Sequence, residues 1–163
     1  MNSLLQETLF KRYSIFFVHT KDRTSDNYVL PIRFGIECHD GWFTILDTLM
    51  SIIKHHCHYH NVEPIFVNQI KEKFGVLCFY YSGGDEYISG LVSMATYLSS
   101  KTCEYCGTTS NVGKTEGWIS IMCKDCHSIE PRRKNLKWNP SNNNRLLKLV
   151  RINKIINGLG KRT

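Results

Sequence analysis

The sequence predicts an α+β fold: a small antiparallel sheet around a central hairpin, packed with helices, then a four-cysteine zinc ribbon and a basic C-terminal helix. Three observations carry that expectation. Two runs rich in Ile, Val, Phe and Tyr flank the segment Glu72-Lys73-Phe74-Gly75. Two Cys-x-x-Cys pairs lie sixteen residues apart, between Cys106 and Cys123. Ten of the 21 Lys and Arg residues fall after residue 129.

Taken in order, Tyr13–Val18 is aromatic and β-branched and predicts a strand. Pro31–Ile36 predicts a second short one. From Trp42, apolar residues at 42, 45, 46, 49 and 53 recur at helical spacing, with Asp40 placed as a cap. Pro64 blocks any continuation. Ile65–Lys71 and Val76–Tyr81 form the hairpin. Ser82-Gly83-Gly84 closes it, and Asp85 or Ser82 caps a helix with Ile88, Leu91, Ala95 and Leu98 on one face. Asn135–Asn144, with Pro140 and three consecutive asparagines, predicts a linker. A last helix from Arg145 places Leu149, Ile152, Ile156 and Leu159 on one stripe and Arg145, Lys148, Arg151 and Lys154 on the other side. The expected organisation is a body over 1–101, a zinc ribbon over 102–129, and a basic linker and helix over 130–163.

Cys103, Cys106, Cys123 and Cys126 are the expected metal ligands. Two intervening residues make a tight turn that points both sulfurs of a pair inward, and Gly107 suits the backbone of such a turn. Four thiolates fill the tetrahedral sphere of one structural Zn2+. No position is left for a water, so the expected role is folding, not chemistry. Seven cysteines cannot all pair within one chain, and paired cysteines in a reducing compartment point to metal before disulfide. Cys38, Cys57 and Cys78 are expected as plain buried thiols. His127 is a lesser candidate ligand. No apolar run is long enough to span a membrane and no secretion signal is evident, so a cytoplasmic protein is expected.

Residues 130–163 hold ten cations against Glu130, a net +9, so residues 1–129 carry −2 of the chain's +7. Such asymmetry marks an acidic partner, here nucleic acid. Arg132, Arg133, Lys134, Lys137, Arg145, Lys148, Arg151 and Lys154 are the expected phosphate-facing residues, with Trp138 stacking on a base. A solvated face of an ordinary helix and a membrane-surface helix are the competing explanations.

Other constellations weigh less. His55, His56, His58 and His60 crowd one helix end, where a solvated terminus outweighs a second metal site. Residues 107–122 lack both the histidine and the aspartate that a nuclease of the HNH type would use, and Glu116 is their only acid. Gly83-Gly84 alone means a turn, not a phosphate loop.

Three motifs together resemble a family of small, mostly uncharacterised proteins encoded by bacteria and their phages. They are Gly41-Trp42 with Leu46-Asp47, the run Gln69–Gly75 with Phe79-Tyr80, and Cys103-Glu104-Tyr105-Cys106-Gly107 through Gly117-Trp118 to Cys123–Cys126. The resemblance spans roughly residues 33 to 127. It implies a metal-binding fold, with Cys126 standing where similar proteins often place histidine, and a phage origin. The function expected from all of this is a non-enzymatic zinc protein that contacts nucleic acid through its basic end. The alternative is a phage-encoded inhibitor or adaptor that binds a host defence or nucleic-acid-processing complex.

Overall fold

The computed structural model describes residues 1–17 and 35–141. Within them the chain is α+β, with two three-stranded sheets. The first sheet grows from the hairpin. β2 (Phe66–Lys73) and β3 (Val76–Ser82) pair antiparallel from Phe66↔Ser82 to Lys73↔Val76. The turn needs two residues of positive φ, the arrangement that matches strand twist in a two-residue hairpin. Gly75 supplies one at 80°, and Phe74 the other at 54°. The Glu72 carboxylate holds the turn by accepting from the Gly75 amide at 2.6 Å. Here the strands run on through the Glu72 and Lys73 expected as turn. β1 (Ile36–Glu37) adds at the edge in parallel, Ile36 beside Ile70, so the sheet is mixed and not purely antiparallel.

α2 (Phe43–His60) lies on this sheet because its apolar residues recur every three or four positions. Leu46, Leu49, Met50, Ile53 and Cys57 are buried on one side. They meet Val67, Ile70, Leu77 and Phe79 from the sheet and Ile88, Leu91 and Ala95 from α3 (Glu86–Ser99) in one core. Leu98, expected on the buried face of α3, is 44% exposed.

Two N-terminal expectations are corrected. α1 (Ser3–Arg12), capped by the Asn2 side chain on the Leu5 amide, stands where no element was expected. Tyr13–Val18 holds no strand in its described part: Ser14–Phe16 is a 3-10 turn. Its aromatics serve the core at a spacing of three and four residues, burying Tyr13, Phe16 and Phe17 beside Leu9 and Phe10. β propensity reflects fit to a half-buried surface, and a tight turn can present the same side chains. Asp40 is not the cap of α2 either. It opens a 3-10 turn, Asp40–Trp42, and its carboxylate accepts from the Asn2 amide and side chain at 2.7 Å each. No side chain caps α2.

Asp85 does cap α3. One carboxylate oxygen accepts from the Ile88 amide at 3.0 Å and the other contacts His56 Nε2 at 2.7 Å. The His56 and Ile88 contacts hold this carboxyl below its ordinary range. A group lowered on folding stabilises fully above its unfolded value and stops doing so as pH falls through the folded one. Asp85→Ala is therefore expected to lower the melting temperature at pH 7. The gap to wild type should close below about pH 4, the unfolded carboxyl range. Asp85→Asn should keep the cap. Thermal melts of the three proteins across pH 2.5–7 check this.

The second sheet orders as β5 (Ile121–Cys123), β4 (Val112–Thr115) and β6 (Trp138–Pro140). β6 corrects the linker expectation. Thr115 pairs with Trp138 and Gly113 with Pro140, so the chain beyond residue 129 completes the cysteine module's sheet. Pro140 is compatible because β6 is an edge strand. α4 (Lys124–Ile129) follows β5 directly. The C-terminal helix expected from Arg145 lies outside the described residues.

Candidate metal centre

The four cysteines arrive on two short turns. In the first, the Cys103 amide donates to Thr108 at 2.8 Å and the Cys103 carbonyl accepts from Gly107 at 2.9 Å. Gly107 closes this loop at φ 79°, a conformation that L side chains rarely adopt. In the second, Cys123 ends β5 and starts α4, and its sulfur accepts from the Cys126 amide at 3.4 Å. The Glu104 amide donates to Ile121 at 3.0 Å, which ties the first turn to β5.

The result is one cluster. The sulfurs of Cys103, Cys106, Cys123 and Cys126 lie within 4.8 Å of one another and could hold one metal ion. The fit to zinc can be tested on distance. A tetrahedral site with Zn–S bonds of about 2.3 Å places its sulfurs about 3.8 Å apart. Cys106 and Cys123 stand at 3.7 Å. Cys103 and Cys123 are buried, Cys126 is half-buried and Cys106 is exposed, so the cluster has one open edge. Burial pushes the Cys103 and Cys126 thiols up. Burial also opposes ionisation of Cys106, but hydrogen bonds from Thr108 and the neighbouring thiols outweigh it and bring that thiol down. Crowded thiols therefore resist shedding their protons together, and a dication supplies the missing charge. Among the described residues this is the only cluster of histidine, cysteine or acidic side chains with such spacing.

The surroundings fix the module to the body. Trp42, fully buried, donates its indole N–H to the Thr102 carbonyl at 3.0 Å. The Gly41 amide donates to Glu104 at 2.8 Å. Glu104, only 4% exposed, accepts from the His39 amide at 3.1 Å. Burial raises its carboxyl to about 7. The His39 ring stacks on Tyr105 at 4.0 Å. Sequence reasoning passed over Glu104 and His39. An acid inside the Cys103–Cys106 turn, one of the most crowded places in such a module, was the available signal.

The other expected site residues divide. Trp138, expected as a base-stacking platform, covers Gly113 and donates its indole N–H to Met122 at 3.0 Å. Arg133 donates to Ser120 at 3.0 Å and lies over the Trp118 ring at 5.2 Å. Lys137 pairs with Glu116 at 3.0 Å. Arg132 and Lys134 are exposed. Arg145, Lys148, Arg151 and Lys154 lie outside the described residues. His127 Nε2 contacts the Leu136 carbonyl at 2.9 Å and is not among the clustered ligands. Cys38 and Cys57 are buried thiols as expected, with Cys38 pushed up to about 12 by burial, while Cys78 is half-buried. His56 and His60 share a face at 4.7 Å, and His56 is spent on Asp85.

Comparison with protein-family models, with curated proteins and with solved structures gives no match. No helix among the described residues is long and apolar enough to cross a membrane.

Proposed function

We propose that the chain is a zinc-stabilised, non-enzymatic binding protein that contacts nucleic acid through its basic C-terminal region. The observation that carries the first half is the convergence of four sulfurs within 4.8 Å of one another, with the Cys106–Cys123 pair at the separation of a tetrahedral site. Such a set supplies folding free energy and keeps no coordination position for a substrate. The support for the second half is charge. The +9 of residues 130–163 begins at the module's edge, where Arg132 and Lys134 are exposed. Phosphate binding by such residues releases counterions, so affinity falls with salt.

Electrophoretic mobility shifts of duplex DNA and of RNA, titrated between 50 and 300 mM salt, test this. The expected result is a steep linear fall of log affinity with log salt. The slope should shrink by about one for each of Arg132→Ala and Lys134→Ala. Affinity indifferent to salt, or no retardation by the full chain, would overturn the nucleic-acid reading.

One observation favours a second reading, a phage-encoded inhibitor or adaptor acting on a host complex. Between α2 and α3 runs an apolar groove of about 180 Å³, lined by Ile45, Leu49, Ile52, Leu91, Met94 and Leu98. Met94 is 48% exposed, a contact suited to a protein partner. A pull-down that survives nuclease and is lost in Met94→Asp would favour this reading; loss on nuclease treatment favours the first.

A further inference from the structure

The turn between β2 and β3 holds Phe74 at φ 54° with 70% of the residue exposed. The other non-glycine residues of positive φ among the described residues are Asn61 and Asn111, a type that tolerates the left-handed region. Asparagine is also what a two-residue hairpin turn favours at the position of Phe74. A phenylalanine there strains the backbone and buries little of its ring in return, so folding alone gives no reason for it. Strain kept at an exposed position points to a use for the side chain.

Phe74 has an aromatic neighbour. A β-carbon on Gly75 would lie 3.0 Å from the Ile119 side chain and 3.1 Å from that of Ile121, so the hairpin tip abuts the loop between β4 and β5. Trp118 precedes Ile119 in that loop and is 66% exposed. Each ring carries a cation. Lys73 Nζ stands 5.5 Å from the Phe74 centroid, and the Arg133 guanidinium 5.2 Å from that of Trp118. In the same hairpin Lys71 lies over Tyr80 at 5.5 Å. Strand alternation puts Lys71, Lys73 and Tyr80 on the face opposite the buried Ile70 and Phe79. Among the described residues none of Lys71, Lys73 and Arg133 is in an ion pair. The adjacent carboxylates are engaged: Glu37 accepts from Gln69 at 2.8 Å and Glu72 from the Gly75 amide at 2.6 Å.

We propose that the hairpin tip and the adjoining loop stack the bases of a single-stranded nucleic acid, an inference that rests on the nucleic-acid reading above and gives it a stacking surface. Exposed aromatic rings hold bases of any sequence by their π-faces, and cations beside them meet the phosphates. A ring with a cation over one face keeps the other for a base, and Trp118 remains 66% exposed under Arg133. A duplex keeps its base faces stacked inside, so this surface selects single strands, whose bases can splay out. Arg133 lies between the exposed Arg132 and Lys134, so the surface runs into the basic region that begins at residue 130.

The test is fluorescence anisotropy of the full-length zinc-loaded chain with fluorescein-labelled oligo(dT) and oligo(U) of about 12 nucleotides, within the range that single-strand modules cover. A duplex with the same label is the comparison. Single strands should bind at least fivefold tighter than the duplex. Phe74→Asn should weaken single-strand binding at least fivefold and leave the melting temperature equal or higher, since asparagine suits the turn. Phe74→Tyr keeps the ring and should bind as wild type does. Trp118→Ala should also lose at least fivefold. Tyr97→Ala, which removes the ring under Lys101 on α3, should leave affinity unchanged. Single-strand binding that falls with salt yet is unaltered in either Phe74→Asn or Trp118→Ala would overturn this inference and leave the charge-based reading standing. No binding by the wild-type chain would overturn both. Duplex bound as tightly as single strands, or a Phe74→Asn variant that melts lower, would overturn the stacking surface as well.

Discussion

Cys103→Ser should remove the metal and unfold the module. Cys103 is fully buried, and its sulfur is one of four that share a single centre. A hydroxyl there is a poor zinc ligand and would lie unpaired among apolar neighbours such as Val112, Ile121 and Met122. Zinc binding to four-cysteine modules supplies about 10 kcal/mol or more of folding free energy, so even partial loss is large. Through the Trp42 and Gly41 contacts the damage reaches the body. Bound zinc is expected to fall from one per chain to nearly none. The melting temperature should fall by about 10 °C or more, since 1 kcal/mol is worth about 2–4 °C at this size. Acidification should act in the same direction, because protons compete for the same sulfurs. Cys78→Ser, half-buried in β3 and outside the cluster, should keep its metal. Elemental analysis and calorimetry on the three proteins check this. Full metal content and an unchanged melt in Cys103→Ser would contradict the assignment.

Gly41→Ala should be nearly as damaging, although it adds one methyl group. A β-carbon at Gly41 would meet the Cys103 carbonyl oxygen at 2.3 Å, the Gly107 amide nitrogen at 2.5 Å and the Glu104 carbonyl oxygen at 2.6 Å. All three are main-chain atoms of the first cysteine turn, and none can rotate away. Relief requires the turn to move off the body, which breaks the Gly41–Glu104 hydrogen bond and displaces two ligands. The expected cost is about 3 kcal/mol or more, at the upper end for overpacking, with weaker zinc retention against a chelator. Gly90→Ala is the contrast. Nothing lies within 4 Å of a β-carbon there, and Gly90 sits inside α3. The same methyl group should stabilise by about 0.5–1 kcal/mol through helix propensity. Opposite signs at the two glycines would separate a steric role from a general effect of glycine removal.

Several parts of this structure were legible in the sequence because one short-range signal decided each. α2 and α3 show apolar residues at 3.6-residue spacing, the hairpin shows two β-rich runs, and the ligand set shows its cysteine pairs. What was not legible depended on contacts distant in sequence. α1 buries only Leu9 and Phe10, too few for a periodic signal, and its place is set by the core it meets. Trp138–Pro140 resembles a linker because proline and asparagine dominate, but pairing with Val112–Thr115 makes it an edge strand. Asp40 has a capping side chain, and Asn2, 38 positions away, takes it. Glu104 carried one local signal, its place inside the first cysteine turn, but its burial against the His39 amide rests on a contact distant in sequence.

X-ray absorption at the zinc edge, on the full chain purified without added metal and at known stoichiometry, tests the central claim most directly. Four sulfur scatterers at about 2.3 Å and no nitrogen or oxygen in the first shell are expected for one zinc per chain. A shell with oxygen or nitrogen ligands, or protein that carries no stoichiometric metal, would contradict the account.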